Sequence, residues 1–277
     1  MPVQSQAFFL AAAPGYSGQR FGMFHPAMSG TARRGAVLYV HPFAEEMNKS
    51  RRMAALQARA LALAGFDVLQ IDLLGCGDSS GDFADASWAA WVADVLQGCQ
   101  WLRQGNAGPL WLWGMRAGCL IAVDAARQLV QPCHFIFWQP PASGKILLQQ
   151  FLRLKAAGEM MGGQAKGILQ ALRDQLARGQ PVEIAGYQIA PALATGLEHA
   201  TLSPPVEHTQ AHYVQWFELS TRQDATLSPA SGQTVARWQQ AGYTVDTHIV
   251  NGPAFWQTTE IEDATALIDS TTLSLAT

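Results

Sequence analysis

The chain predicts an α/β architecture, a mainly parallel sheet with helices on both faces. Two observations carry that expectation. Short runs of bulky apolar residues alternate with longer stretches of helical apolar spacing, the order that repeated βαβ units require. Hydrophobic residues make up 49% of the 277 positions and charged residues 14%, with nine Trp and twelve Phe, so a sizeable core is available. The length suits one α/β domain that carries an insertion.

In chain order, "FFL" and "RFGMFHP" read as a leading antiparallel pair, and "GAVLYVHPF" (35–43) as a fully buried strand. "KSRRMAALQARALALAG" is a helix with Gly65 at its C′ position. "FDVLQIDLLG" is the next strand, followed by a Gly/Ser/Asp loop and the helix "SWAAWVADVLQGCQWLRQ", with Ser87 as N-cap. "PLWLWG" is a strand, 117–130 a helix, and "CHFIFWQPP" a strand. The alternation then breaks. Residues 142–210 offer two amphipathic helices, "GKILLQQFLRLKAAGEMM" and "AKGILQALRDQLARG", then a loop-rich segment, "PVEIAGYQIAPALATGLEHATLSPP". This stretch reads as a helical cap inserted after the sixth strand, between core segments 1–141 and 211–277. "HYVQWFELS" resumes the sheet, "SGQTVARWQQAG" is a helix, "YTVDTHIVNG" the last long strand, and "EIEDATALIDSTTLSL" a closing helix.

Several function classes drop out early. The net charge is −3 and Lys and Arg form only short pairs such as Arg33-Arg34 and Arg51-Arg52, so no basic stripe supports nucleic-acid binding. "MPVQSQ" has no positive n-region, and "FFLAAAP" is too short for a signal h-region or a membrane span. No membrane insertion and a cytoplasmic location are expected. Cys76, Cys99, Cys119 and Cys133 show neither CxxC pairing nor zinc-ligand spacing, which predicts reduced, buried thiols, no metal and no cofactor.

Residues 111–123, "WLWGMRAGCLIAV", run from a strand through a turn into a small-residue helix, the setting of a G-x-S-x-G nucleophile elbow, with Arg116 where the serine belongs. Two further signatures stand in order before it, "HPFAEEMNKSRR" after the third strand and "DLLGCGDSSGDF" after the fourth. Together they match the α/β-hydrolase fold from end to end. The detailed wording resembles the family of exosortase A system-associated hydrolase 2. The features that carry the resemblance are those two loops, the G-x-R-x-G elbow, "QPPASGKILLQQFLR", "IAGYQIAPALA" and the late "FW". It implies a setting in bacteria that export polysaccharide and sort proteins bearing a PEP-CTERM tail.

In this fold the catalytic order is nucleophile, acid, histidine. Arg116 offers donors and no lone pair, so it cannot attack a carbonyl. Asp224 stands four residues past its strand, where the acid belongs, either as a retained acid or as a polar loop residue. The loop after "VNG" holds Phe255 and Trp256 where the histidine is expected, and no histidine follows His248. His41, with Glu45 or Glu46 and with Ser50 or Cys76, could form another nucleophile and base set; equally, His41 braces its loop. Cys119 reads as packing, and Ser143 as a hinge or cap residue. The natural partners for Arg116 are Asp224, Glu45 and Glu46, unless its fork faces a ligand's carboxylate, phosphate or sulfate. Lys145, Arg153, Lys155, Lys166, Arg173 and Arg178 put positive charge on the inserted helices.

The candidate ligand-binding set is therefore His41, Phe43, Glu45, Glu46, Met115, Arg116, Ala117, Asp224, Phe255 and Trp256. Three readings follow. The first is a protein of hydrolase fold that lacks the Ser-His-Asp triad and binds a small acyl or anionic ligand. The second is an esterase or thioesterase with a non-standard nucleophile and base. The third is an interaction module whose cap docks a protein partner of the exosortase or exopolysaccharide pathway.

Overall fold

The computed structural model describes residues 4–159, 165–205 and 212–275. Met160 and Met161, expected to end a helix, and residues 206–211, expected at the insertion boundary, lie outside the described residues, as does the side chain of Lys166. The chain opens with β1 (Gln6–Ala11), β2 (Gln19–His25), β3 (Gly35–Val40), α1 (Glu45–Leu63) and β4 (Phe66–Ile71). It continues with α2 (Trp88–Gly105), β5 (Leu110–Met115), α3 (Ala117–Ala126) and β6 (His134–Trp138). Next come α4 (Gly144–Glu159), α5 (Ala165–Ala177), β7 (Val182–Ile184), β8 (Tyr187–Ile189) and α6 (Pro191–His199). β9 (His212–Ser220), α7 (Pro229–Gln240), β10 (Tyr243–Asn251) and α8 (Thr265–Ser274) complete it.

The large sheet has the order β1-β2-β4-β3-β5-β6-β9-β10. β1 and β2 form the expected antiparallel pair and β2 joins β4 antiparallel, while every pairing from β4 to β10 is parallel. β3 is buried along its whole length, as its unbroken apolar run requires. Its alternate residues serve two cores. Val37 and Tyr39 belong to the cluster on one face, with Met53, Ala58 and Leu61 of α1 and Leu267 of α8. Leu38 and Val40 belong to the cluster on the other, with Trp91 and Val95 of α2 and Leu120 of α3.

Three departures from expectation have local reasons. The segment after α5 is not loop-rich: Ala185 and Gly186, both at positive φ, turn the β7–β8 hairpin, and Pro191 presets the first turn of α6. α8 begins at Thr265 rather than residue 260, because Arg52 draws Asp263 into a two-pronged pair at 2.8 Å and 2.8 Å just ahead of it. α3 stops at Ala126, where the chain tightens into i→i−3 turns, Gln128 N–H donating to Ala125 O at 2.9 Å and Leu129 N–H to Ala126 O at 3.2 Å. Among the described residues no helix is long and apolar enough to cross a membrane.

A buried ion pair clips the antiparallel end of the sheet to α2. Arg20 Nε donates to Asp94 Oδ1 at 2.6 Å, both side chains being wholly enclosed, and Leu74 N–H donates to Asp94 Oδ2 at 2.8 Å. Removing one partner strands the other charge in a low dielectric, at a cost of about 3–5 kcal/mol. Asp94→Ala is expected to lower the unfolding free energy from urea denaturation by that amount, and a variant within about 0.5 kcal/mol of wild type would show that the clip carries no stability.

Candidate functional site

β3 and β5 are neighbours, with Val40 paired to Gly114, so the turns that leave their C-terminal ends lie side by side. Both turns are strained. Ala44, before α1, has φ 48° and ψ −124°, and Arg116, before α3, has φ 53° and ψ −117°. Non-glycine residues in such conformations cost about 1–3 kcal/mol each and persist only where the surroundings fix them. At Arg116 the surroundings are explicit: its N–H donates to Trp138 O at 3.0 Å, and its carbonyl accepts from Cys119 N–H at 3.0 Å. The flanking residues must be small. A Cβ on Gly114 would lie 2.5 Å from Cys119 N, and one on Gly118 only 2.0 Å from Val40 O.

The tight elbow projects Arg116 toward the start of α1. Its Nε donates to Glu46 Oε1 at 3.1 Å and Oε2 at 3.4 Å, and its Nη2 to Glu46 Oε1 at 3.1 Å and to Gln150 Oε1 of α4 at 3.0 Å. The guanidinium carbon lies 5.8 Å from the centre of the Trp256 ring, within range of a cation–π contact. The Arg116 and Glu46 side chains keep only 11% and 12% of their exposure. Burial pushes the Glu46 carboxyl above its ordinary value, and the adjacent Arg116 charge pulls it back. Burial likewise raises Glu45, opposed by a hydrogen bond from its own backbone and by the Lys49 charge.

These residues floor a cavity of about 530 Å³. Glu45, Glu46, Lys49, Arg116, Gln150 and Gln257 supply its polar lining; Phe43, Leu147, Phe151, Leu154, Ala185 and Trp256 supply the apolar part. Of the expected set, the structure brings Phe43, Glu45, Glu46, Arg116 and Trp256 together here. Met115 and Ala117 are buried beneath the elbow and do not line the cavity. Phe255 is core, edge-on to Trp138 at 6.3 Å.

Asp224 does not partner Arg116. It is exposed in the turn after β9 and lines a separate recess with Glu218, Ser220 and Arg222. Glu46 makes the pairing instead, because the strained turn at Ala44 starts α1 early and aims its first turn at the elbow. His41 is also off the cavity. Its Nδ1–H donates to Pro42 O at 2.8 Å and its Nε2 accepts from Leu73 N–H at 3.3 Å, so the neutral ring braces two loops; burial lowers its basicity.

The remaining members of the alternative nucleophile set are spent in the same way. Ser50 Oγ donates to Glu46 O at 2.7 Å within α1, and burial pushes the Cys76 and Cys119 thiols far above their ordinary value. Ser143 forms an isolated antiparallel bridge to Thr201 at the base of α4. His248 stays on its strand, stacked on Phe217 at 4.5 Å and bonded to Gln215. Among the described residues no group of His, Cys, Asp and Glu could hold a metal ion.

Sequence reasoning missed Lys49, Leu147, Gln150, Phe151, Leu154, Ala185 and Gln257. The spacing of Leu147, Gln150, Phe151 and Leu154 on one helical face was the available signal for four of them. Two of the cations between β6 and β9 are tied locally: Lys155 Nζ reaches Glu183 O at 3.2 Å, and Arg173 lies 3.6 Å from Glu198.

The family model described as serine aminopeptidase S33 matches residues 31–166, the stretch from just before β3 past α4, and stops short of β9 and β10. No curated protein matches the chain in sequence. Among solved structures, Est1E from Butyrivibrio proteoclasticus with ferulic acid bound is similar at 14% identity and TM-score 0.67, over 98% of this chain and 96% of that one. A highly thermostable carboxyl esterase from Bacillus coagulans in complex with glycerol aligns at 15% identity and TM-score 0.62, over 98% and 96%. A member of the a/b serine hydrolases without lid, from Xanthomonas campestris, aligns at 15% identity and TM-score 0.54, over 99% and 93%. At such identities the likeness establishes the fold, that of the α/β hydrolases.

Glu46 titrates higher in the folded chain than in the unfolded one, so the native state binds the extra proton and stability falls as pH rises from about 4.5 toward the folded value. Arg116→Ala removes the charge that opposes this shift. The variant is expected to lose stability more steeply than wild type between pH 4.5 and 8, read from urea midpoints; parallel profiles would mean that the two groups do not interact.

Proposed function

We propose that this protein is a ligand-binding member of its fold which does not use a Ser-His-Asp triad and holds an acyl chain in the cavity above Arg116. One observation carries the reading: the elbow tip is an arginine whose guanidinium is bonded to Glu46 and Gln150. Such a group supplies neither a lone pair nor a leaving proton for acyl transfer. Trp256, in the loop where the fold's histidine stands, lies under that guanidinium instead of offering a base. The cavity has the size and the mostly apolar wall of a small-molecule site. We take the inserted elements 144–199 as its cap, since α4 contributes Leu147, Gln150, Phe151 and Leu154 to the wall. The family resemblance supplies the setting, exopolysaccharide export and exosortase-linked envelope biology, with any protein partner drawn from the same pathway.

The match of residues 31–166 to a serine aminopeptidase family favours a second reading, an esterase or thioesterase with a non-standard nucleophile. One assay separates the two. With a fluorophosphonate probe and a panel of p-nitrophenyl esters and thioesters, no stoichiometric labelling is expected, and any background turnover should survive Arg116→Ala. Turnover that depends on a labelled Ser or Cys would overturn the proposal.

A further inference from the structure

At the polar end of the cavity Arg116 and Glu46 are bonded to each other, while the Lys49 charge acts on Glu45 through space. Arg116 gives Nε and Nη2 to Glu46 and shares Nη2 with Gln150. Glu45 and Lys49 stand four residues apart on α1, the spacing at which helix side chains meet, and Lys49 Nζ also reaches Gln257 O at 3.5 Å. Two acids and two bases thus line this end, with no net charge left over for an incoming ion. The rest of the wall is Phe43, Leu147, Phe151 and Leu154.

An ionised head group brought into such a place gives up its hydration and finds the Arg116 fork already taken by Glu46 and the lining without net charge, so little of its desolvation is recovered. An uncharged head loses far less. It can accept from Lys49 and Gln150 and, where it carries an N–H or O–H, donate to Glu45 and Glu46 without breaking the Arg116 pair. Burial already raises both carboxyls, a sign that this wall resists further negative charge.

We infer that the cavity selects an aliphatic chain with an uncharged hydrogen-bonding head, an amide, ester or alcohol, and that Glu46 sets this selection by occupying the Arg116 fork. The inference rests on the acyl-binding reading above and names the ligand class of that site. With Glu46 absent, the fork would be open to a carboxylate, whose geometry it matches with two parallel hydrogen bonds.

Three ligands of equal length isolate head charge from chain: octanamide, octanoate and octylammonium, titrated into the full chain at pH 7.5 by calorimetry. Octanamide is expected to bind at least about tenfold more tightly than either ion, a difference of about 1.4 kcal/mol. In Glu46→Gln, octanoate should gain about a hundredfold and overtake octanamide. Should that variant fail to fold, Arg116→Gln serves, and there octylammonium should gain by a similar factor. An ion that binds wild type as well as octanamide does, or an order unchanged in the folded variant, overturns the inference while leaving acyl binding intact. No binding by any of the three overturns the acyl-binding reading and the inference with it.

Discussion

The Arg116–Glu46 ion pair bridges the two strained turns that end β3 and β5, and the cavity takes its form from that bridge. Each turn alone is an uphill conformation. Together they hold a carboxylate and a guanidinium 3.1 Å apart with most of the solvent excluded. The pair then reaches outward: Gln150 brings α4 to it, and Trp256 brings the loop after β10. Four elements distant in sequence therefore converge on one side chain. They do so outside the carboxyl ends of the parallel strands, where α/β sheets place their ligands.

The elbow shows how a fold's architecture and its chemistry separate. Gly114 and Gly118 are demanded because an added Cβ would lie 2.5 Å and 2.0 Å from backbone atoms, whatever residue stands at the tip. The tip itself is free to change so long as its backbone tolerates a positive φ and its side chain finds partners. Arg116 finds an anion, an amide and an aromatic ring. His41 shows the same separation: it stands near the elbow, yet both ring nitrogens are committed to backbone groups and its work is to tie the loop after β3 to the loop after β4.

Most of the sheet was legible because its signals are local. The unbroken apolar run of β3, the small residues around the elbow and the Ser87 cap each read directly as structure. Half of the expected ligand set also met in the cavity, since Phe43, Glu45 and Glu46 follow β3 and Arg116 follows β5 in any fold of this order. Asp224 failed because its place past a strand end says nothing of where the turn points. Gln150 was out of reach for a related reason: only the packing of α4 over the elbow, through Phe43 and Phe151 with ring centres 5.0 Å apart, brings that amide to the guanidinium. The start of α1 at Glu45 was hidden as well, because it depends on a strained Ala44 that no propensity favours.

If Arg116 and Glu46 form the central pair, their effects on stability must be strongly non-additive. The direct measurement is a double-mutant cycle, with wild type, Arg116→Ala, Glu46→Ala and the double variant unfolded in urea at pH 7. A favourable coupling of about 1–3 kcal/mol is the expected result for charged neighbours with little exposure. Additivity within about 0.3 kcal/mol would contradict the account, since the elbow arginine would then be held by something other than Glu46.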